Sequence, residues 1–169
     1  ANILNRYFEE KSVWVEAEIK NSDGHTVSRL DRAVSIKGWD RAGFSDSEII
    51  NNVKLWDIDD PNLYSAKLRL YYNENVCDEY TLSFGIRDIR FNPDSGFYLN
   101  GKNIKIKGLC CHHDHAGMGI AVTKSVNEYR IQQMKSMGAN AIRSSHYPAA
   151  PELLDICDRE GMLVFEETR

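Results

Sequence analysis

Asn140-Ala-Ile-Arg143-Ser-Ser-His146-Tyr147-Pro148 is followed by Leu153-Leu154, Asp158, Gly161 and Met162-Leu-Val-Phe165. Asn140 to Arg143 and Leu163 to Glu166 read as short buried strands. Pro151 to Glu160 between them reads as a helix that buries Leu153, Leu154, Ile156 and Cys157, with Gly161 placed to stop it. Pro148 holds Tyr147 extended and helps fix the intervening turn. The order is one β-α-β unit, with Arg143 and His146 at the carboxyl end of its first strand. Parallel α/β folds build their active sites at that end.

Working toward the amino terminus, Ser125-x-x-Glu128 has the spacing of a capping box that opens a helix. Val126, Tyr129, Met134 and Met137 share one broad face of it, and Gly138 can end it. Ile104 to Gly108 is expected as a strand, with Lys102, Lys105 and Lys107 on its solvated side. Phe97-Tyr-Leu-Asn-Gly-Lys102 reads as a hairpin whose Asn-Gly supplies the turn, and Asn92-Pro-Asp-Ser-Gly96 as a loop. The order βαβαβ fits the opening third of a (β/α)8 barrel, or else a small doubly wound sheet.

Residues 1–90 read as all-β. Val13, Val15, Ala17 and Ile19 alternate with polar partners, and Asn21-Ser-Asp-Gly24 supplies a turn. Thr26 to Leu30 and Ala33 to Ile36 are two shorter candidate strands. Tyr64, Ala66, Leu68, Leu70 and Tyr72 form the cleanest strand face, and Asn73-Glu-Asn75 turns the chain into a partner, Val76 to Phe84. Short strands with frequent turns suggest an immunoglobulin-like β-sandwich. Trp56 and Pro61 sit in what looks like a structured loop crossing between sheets. The expected organisation is therefore a β-sandwich over 1–90 and the beginning of a TIM barrel over 91–169.

Composition narrows the function classes. The 169 residues are 42% hydrophobic and 27% charged, as in soluble globular proteins. A formal net charge of −4 argues against a nucleic-acid partner. No apolar run approaches the ~20 residues a membrane span requires, and the first residues lack the charged start and apolar run of a signal peptide. Cys77, Cys110, Cys111 and Cys157 have no disulfide-framework spacing. They read as free thiols of a reducing compartment, which favours the cytoplasm. Trp14, Trp39 and Trp56 could stack on sugar rings, although packing is the commoner use of such residues.

Three polar constellations could carry chemistry. In Gly108-Leu-Cys-Cys-His112-His113-Asp114-His115-Ala-Gly117-Met-Gly119, adjacent side chains of an extended segment point in opposite directions, so they cannot all reach one ion. Zinc ligands are usually spaced by two to four residues. A metal cluster, a polar glycine-capped loop and a substrate-facing loop remain the readings. Arg143 would enter a barrel mouth as a fork of donors able to hold a carboxylate or a sugar hydroxyl, and His146 can exchange hydrogen bonds near neutral pH. The alternative is an Arg paired for structure and a satisfied turn His. Phe165-Glu166-Glu167-Thr168 places two carboxylates together, but glycoside hydrolysis needs carboxylates facing each other across a bond at about 5–9 Å. Neighbours on one strand face opposite ways.

The spaced pattern from Asn140 to Phe165 resembles the signature of glycoside hydrolase family 2, the β-galactosidases, β-glucuronidases and β-mannosidases. Phe84-Gly-Ile-Arg87 and Leu99-Asn-Gly-Lys102 extend the likeness over nearly the whole chain. The Gly-x-Cys-x-His-His-Asp form resembles a subgroup of the family, whose best-known β-galactosidases carry Asn-Arg-His-Glu there. The resemblance implies a fragment of a retaining glycosidase, β-galactoside being the first substrate expected and β-glucuronide and β-mannoside following. It implies that His112, Asp114, Arg143, His146 and Glu167 bind substrate, the second acid of the pair often lying against the Arg. It also implies that the nucleophile and acid/base Glu lie beyond Arg169, that a jelly-roll domain precedes Ala1, and that no metal is held within the chain. A magnesium or sodium requirement of the parent stays open. An incomplete barrel is expected to be inactive alone and to self-associate through its open edges. The competing class is a non-catalytic module binding carbohydrate or a partner. The reading frame past Arg169 separates the two.

Overall fold

The computed structural model describes residues 1–167, so Thr168, quoted above with the paired carboxylates, lies outside the described residues. The chain divides into two compact units. The first comprises Ala1–Lys54 and Tyr64–Phe84; the second comprises Leu55–Leu63 and the chain from Gly85 onward.

The first unit is an immunoglobulin-like β-sandwich. Strands β1 (Asn2–Leu4) and β4 (Arg41–Gly43) form a two-stranded ribbon. β2 (Lys11–Lys20), β3 (Thr26–Ile36), β5 (Tyr64–Tyr72) and β6 (Asn75–Phe84) form an antiparallel sheet in the order β3-β2-β5-β6. The period-two residues do what their spacing requires: Val13, Val15 and Ala17 pack with Val34, Ile36 and Phe44. Leu68, Leu70 and Tyr72 of β5 and Ile3 and Ala42 of the ribbon close this core. Thr26–Leu30 and Ala33–Ile36 are one strand, not two. Its polar middle pairs through the ladder, Asp31 with Glu16 and Arg32 with Val15, so backbone hydrogen bonding carries β3 across a break in hydrophobic alternation. β5 turns into β6 through Asn73 and Glu74, both left-handed. Trp14 and Trp39 are exposed and take no part in the core.

The second unit opens with a three-stranded meander, β7 (Ile89–Asn92), β8 (Gly96–Leu99) and β9 (Lys102–Asn103). Asn92–Gly96 thus belongs to a hairpin, and Asn100 and Gly101 make the next turn with φ of 52° and 77°. A parallel sheet β10 (Gly108–Cys111), β11 (Ala141–Ser144) and β12 (Leu163–Phe165) alternates with α1 (Lys124–Ser136) and α2 (Pro151–Glu160). This is the start of a TIM barrel. One sheet face packs against the helices: Cys111 and Ile142 join Ile131, Leu153, Ile156, Cys157 and Met162. On the other face Ala141 and Leu163 are sealed by Trp56, Phe97 and Leu99.

Four expectations change here. Ile104 to Gly108 is not a strand; β10 begins where that segment was expected to end. Ile104 and Ile106 still point into the floor cluster, but the backbone is served by a side chain. Asn140 Nδ2 donates to Lys105 O at 3.0 Å, and Lys107 N donates to Asn140 Oδ1 at 2.8 Å. The capping box does not form. Thr123 is the N-cap residue and makes no capping bond; Ser125 lies inside the helix, and Glu128 pairs with Arg159 at 3.3 Å. The helix buries Asn127 and Ile131 and packs Met134 against the core as expected, whereas Tyr129 and Met137 are exposed, because the inner face follows the 127/131/134 spacing and leaves 129 and 137 off it. Finally, the Trp56–Pro61 loop belongs to the second unit. Trp56 is 1% exposed, and its indole N–H donates to Asp158 O at 2.7 Å. Among the described residues no helix is long and apolar enough to cross a membrane.

Candidate active site

Strand register determines which side chains share the open face. Cys110, Arg143 and Phe165 stand side by side on β10, β11 and β12, one layer nearer the carboxyl ends than Ala141 and Leu163. With Leu109, Glu166 and Glu167 they line a concavity of about 480 Å³. Side chains of successive residues alternate between faces, so Arg143 faces this concavity while its neighbours Ile142 and Ser144 face the helices.

Glu167 is the centre of the cluster. Its Oε1 is ion-paired with Arg143, and its Oε2 accepts the backbone N–H of His146 at 2.7 Å. The His146 backbone is left-handed, φ 72°, which few residues other than Gly, Asn, Asp and His adopt. His146 Nδ1 lies 3.7 Å from the same oxygen, an ion pair whenever the imidazole is protonated. The His146 N–H and the Arg143 guanidinium hold the Glu167 carboxyl below the ordinary carboxylate range. Arg143 also donates to Cys110 Sγ at 3.6 Å, which lowers that exposed thiol's pKa and raises that of Arg143. Burial pushes Cys111 the other way.

The two adjacent acids diverge. Glu166 Oε1 accepts the Ala149 N–H at 2.5 Å and Oε2 accepts the Ser144 hydroxyl at 3.1 Å. The Ser144 hydroxyl oxygen in turn accepts the Glu167 N–H at 3.0 Å. Neither carboxylate faces the other across a gap where a glycosidic bond could sit.

The loop after β10 reaches the loop after β11 through aromatic edges. The His112 and His146 rings are 5.4 Å apart at 65°, and those of His113 and Tyr147 6.5 Å apart at 61°. Four of the five expected residues, His112, Arg143, His146 and Glu167, are therefore assembled. Asp114 is not: it is exposed, and its carbonyl accepts from Arg130 Nη1 at 3.3 Å. Arg130 also donates to His112 O at 3.1 Å and Cys111 Sγ at 3.2 Å, pinning this loop to α1. No motif in the chain marked Arg130 or Ser144, because their partners are backbone atoms and side chains distant in sequence. Among the described residues no three His, Cys, Asp or Glu side chains converge as a metal site.

Known proteins resemble the chain throughout. Residues 2–87 match the model described as Glycosyl hydrolases family 2, and residues 92–169 match that of Glycosyl hydrolases family 2, TIM barrel domain. Beta-galactosidase BoGH2A of Bacteroides ovatus is 36% identical over 98% of this chain, which spans 19% of that protein. A putative beta-glucuronidase of Formosa agariphila is 44% identical over 68% of the chain and 11% of its own length. The crystal structure of a Bacteroides uniformis beta-glucuronidase superposes with a TM-score of 0.93 at 32% identity, covering 98% of this chain and 20% of that one. The chain thus spans about a fifth or less of these relatives.

Proposed function

The chain belongs to glycosyl hydrolases family 2, and on that premise we propose that it carries part of the sugar-binding shell of a retaining β-glycosidase. The observation that carries this reading is the Arg143–Glu167–His146 cluster at the carboxyl ends of two parallel strands, on the face that lines the concavity. Binding sites of parallel α/β folds form at that edge.

In this reading Glu167 is an ionised acceptor for a sugar hydroxyl, kept charged by the His146 N–H and by Arg143. His112 and His146 border the ring with groups that can both donate and accept. Neither Glu166 nor Glu167 is the nucleophile or the acid/base. Both are committed to bonds that point them apart, whereas the reaction needs facing carboxylates about 5 Å apart in a retaining enzyme. Those two groups come from other segments of the parent, and this chain alone turns over no glycoside. Asp114 is exposed and bonded through its carbonyl, so it contributes least.

A neutral sugar, a β-galactoside first, suits the cluster better than a uronate. The Arg143 charge is already met by Glu167, so this guanidinium is not left free for a substrate carboxylate. Names of both beta-galactosidases and beta-glucuronidases among the relatives make this the point to measure. The test is turnover of nitrophenyl β-galactoside, β-glucuronide and β-mannoside by the protein expressed from the whole reading frame. Galactoside turnover is expected to dominate, and Arg143→Ala to reduce kcat/KM about a hundredfold through lost positioning. Absence of turnover on all three would remove the glycosidase reading. Full turnover by Arg143→Ala would remove the site assignment.

A further inference from the structure

We propose that Glu166, acting through Ser144 and the Ala149 backbone, is the positioning residue that sets His146 and Glu167 in place. The proposal rests on the reading of Arg143, His146 and Glu167 as the sugar-facing shell. Its basis is one carboxylate joining three places in the fold. Glu166 follows the end of β12; one of its oxygens holds the Ser144 hydroxyl at the end of β11 and the other holds the Ala149 N–H just before α2. Ser144 and Ala149 bracket the segment that carries His146.

That segment requires holding. A left-handed backbone at a non-glycine residue persists only where the surroundings over-determine it. At His146 the unusual φ has a use, because it directs the N–H at Glu167 Oε2. Glu167 is restrained a second time by Ser144, a residue 4% exposed, whose hydroxyl accepts the Glu167 N–H while donating to Glu166. The circuit runs from Glu166 to Ser144 to the Glu167 backbone, and from Glu166 to Ala149 to the His146 loop to the Glu167 carboxylate. Both branches start at Glu166 and end on Glu167, one at its N–H and the other at the carboxylate that meets Arg143. The adjacent acids thus divide the work: the Glu167 carboxylate is directed at Arg143 and His146, and the Glu166 carboxylate is directed at Ser144 and Ala149 to hold the frame.

The test is Glu166→Ala, followed on this chain by amide hydrogen exchange and by NMR titration of the Glu167 carboxyl, and on the full-length protein by kinetics. The His146, Ala149 and Glu167 amides are expected to exchange at least about tenfold faster. The Met162 amide, bonded to Cys157 O, should stay protected and report an intact fold. The Glu167 carboxyl should titrate nearer the ordinary range, a change that loss of stability alone would not produce. In the full-length protein kcat/KM should fall about a hundredfold. Unchanged protection at His146, or opened amides with wild-type turnover, would overturn the proposal. Should Glu166→Ala not fold, Ser144→Ala replaces it: the Glu167 amide should open while that of Ala149 stays protected, and protection at both would overturn it. If the wild-type parent turns over no glycoside, the functional reading falls, while exchange and titration still decide the positioning role.

Discussion

Gly161→Ala tests how α2 is terminated and how the Trp56–Pro61 loop is held. Gly161 has φ +70° and closes α2 in the left-handed conformation, with its N–H bonded to Cys157 O. An added Cβ would meet the Ile58 carbonyl oxygen at 2.3 Å and its carbon at 2.9 Å, both backbone atoms that cannot rotate away. The same carbonyl accepts from Lys135 Nζ at 2.7 Å, a charge-assisted bond that displacing the loop would break. Left-handed geometry at a residue with a Cβ costs about 1–2 kcal/mol, and loss of a hydrogen bond to a charged group about 1.5–3 kcal/mol. The expected destabilisation is therefore about 2.5–5 kcal/mol, a large part of a domain's ~5–15 kcal/mol. Gly138 ends α1 at φ +87° with nothing within 4 Å of its added Cβ, so Gly138→Ala should show only the conformational cost of about 1–2 kcal/mol. Urea titrations of both variants, read as midpoint shifts at constant m-value, make the comparison. A difference between them below about 1 kcal/mol would refute the claim that the Ile58 approach holds the loop.

The remaining expectations concern charge and thiols. The Arg29 and Thr26 hydrogen bonds lower the Glu18 carboxyl from 4.5 to about 2. A depressed folded-state pKa contributes stability that is present above about 4.5 and lost as pH falls toward 2. Glu18→Gln should flatten the melting temperature of the chain between those values, and an unchanged slope would show that the pairing carries no linkage. Cys110 and Cys77 are exposed, whereas Cys111 and Cys157 are buried and burial pushes Cys157 up to about 12. Iodoacetamide at pH 7.5 (~1 unit below an ordinary thiol) should label the first two and spare the second. Arg143→Ala should slow labelling of Cys110 and leave Cys77 unaffected, as followed by peptide mass spectrometry; equal rates at Cys110 would contradict the guanidinium–thiol contact.

Patterns confined to a few neighbouring residues could be read directly from the chain. Period-two alternation marks β2 and β5 because a pleated strand with one buried face imposes it, and Pro151 and Gly161 bound α2 because each restricts its own backbone. The residues from Asn140 to Phe165 likewise mark the carboxyl end of a barrel strand with Arg143 and His146 on it, whereas Glu167 enters only through the resemblance to the family. Reading failed where a long-range partner replaced a local rule. Ile104 to Lys107 alternates like a strand, yet the Asn140 side chain takes the place of the ladder. The Asp31–Arg32 pair breaks the alternation of β3, yet pairing with β2 carries the strand through. Asp114 stands in the same loop as His112, but its carbonyl accepts from Arg130 and the residue is exposed. The division between Glu166 and Glu167 could be settled only by tertiary structure, because the two acids are chemically alike and adjacent. What separates them is the direction each leaves the end of β12, one toward Ser144 and Ala149 and the other toward Arg143 and His146.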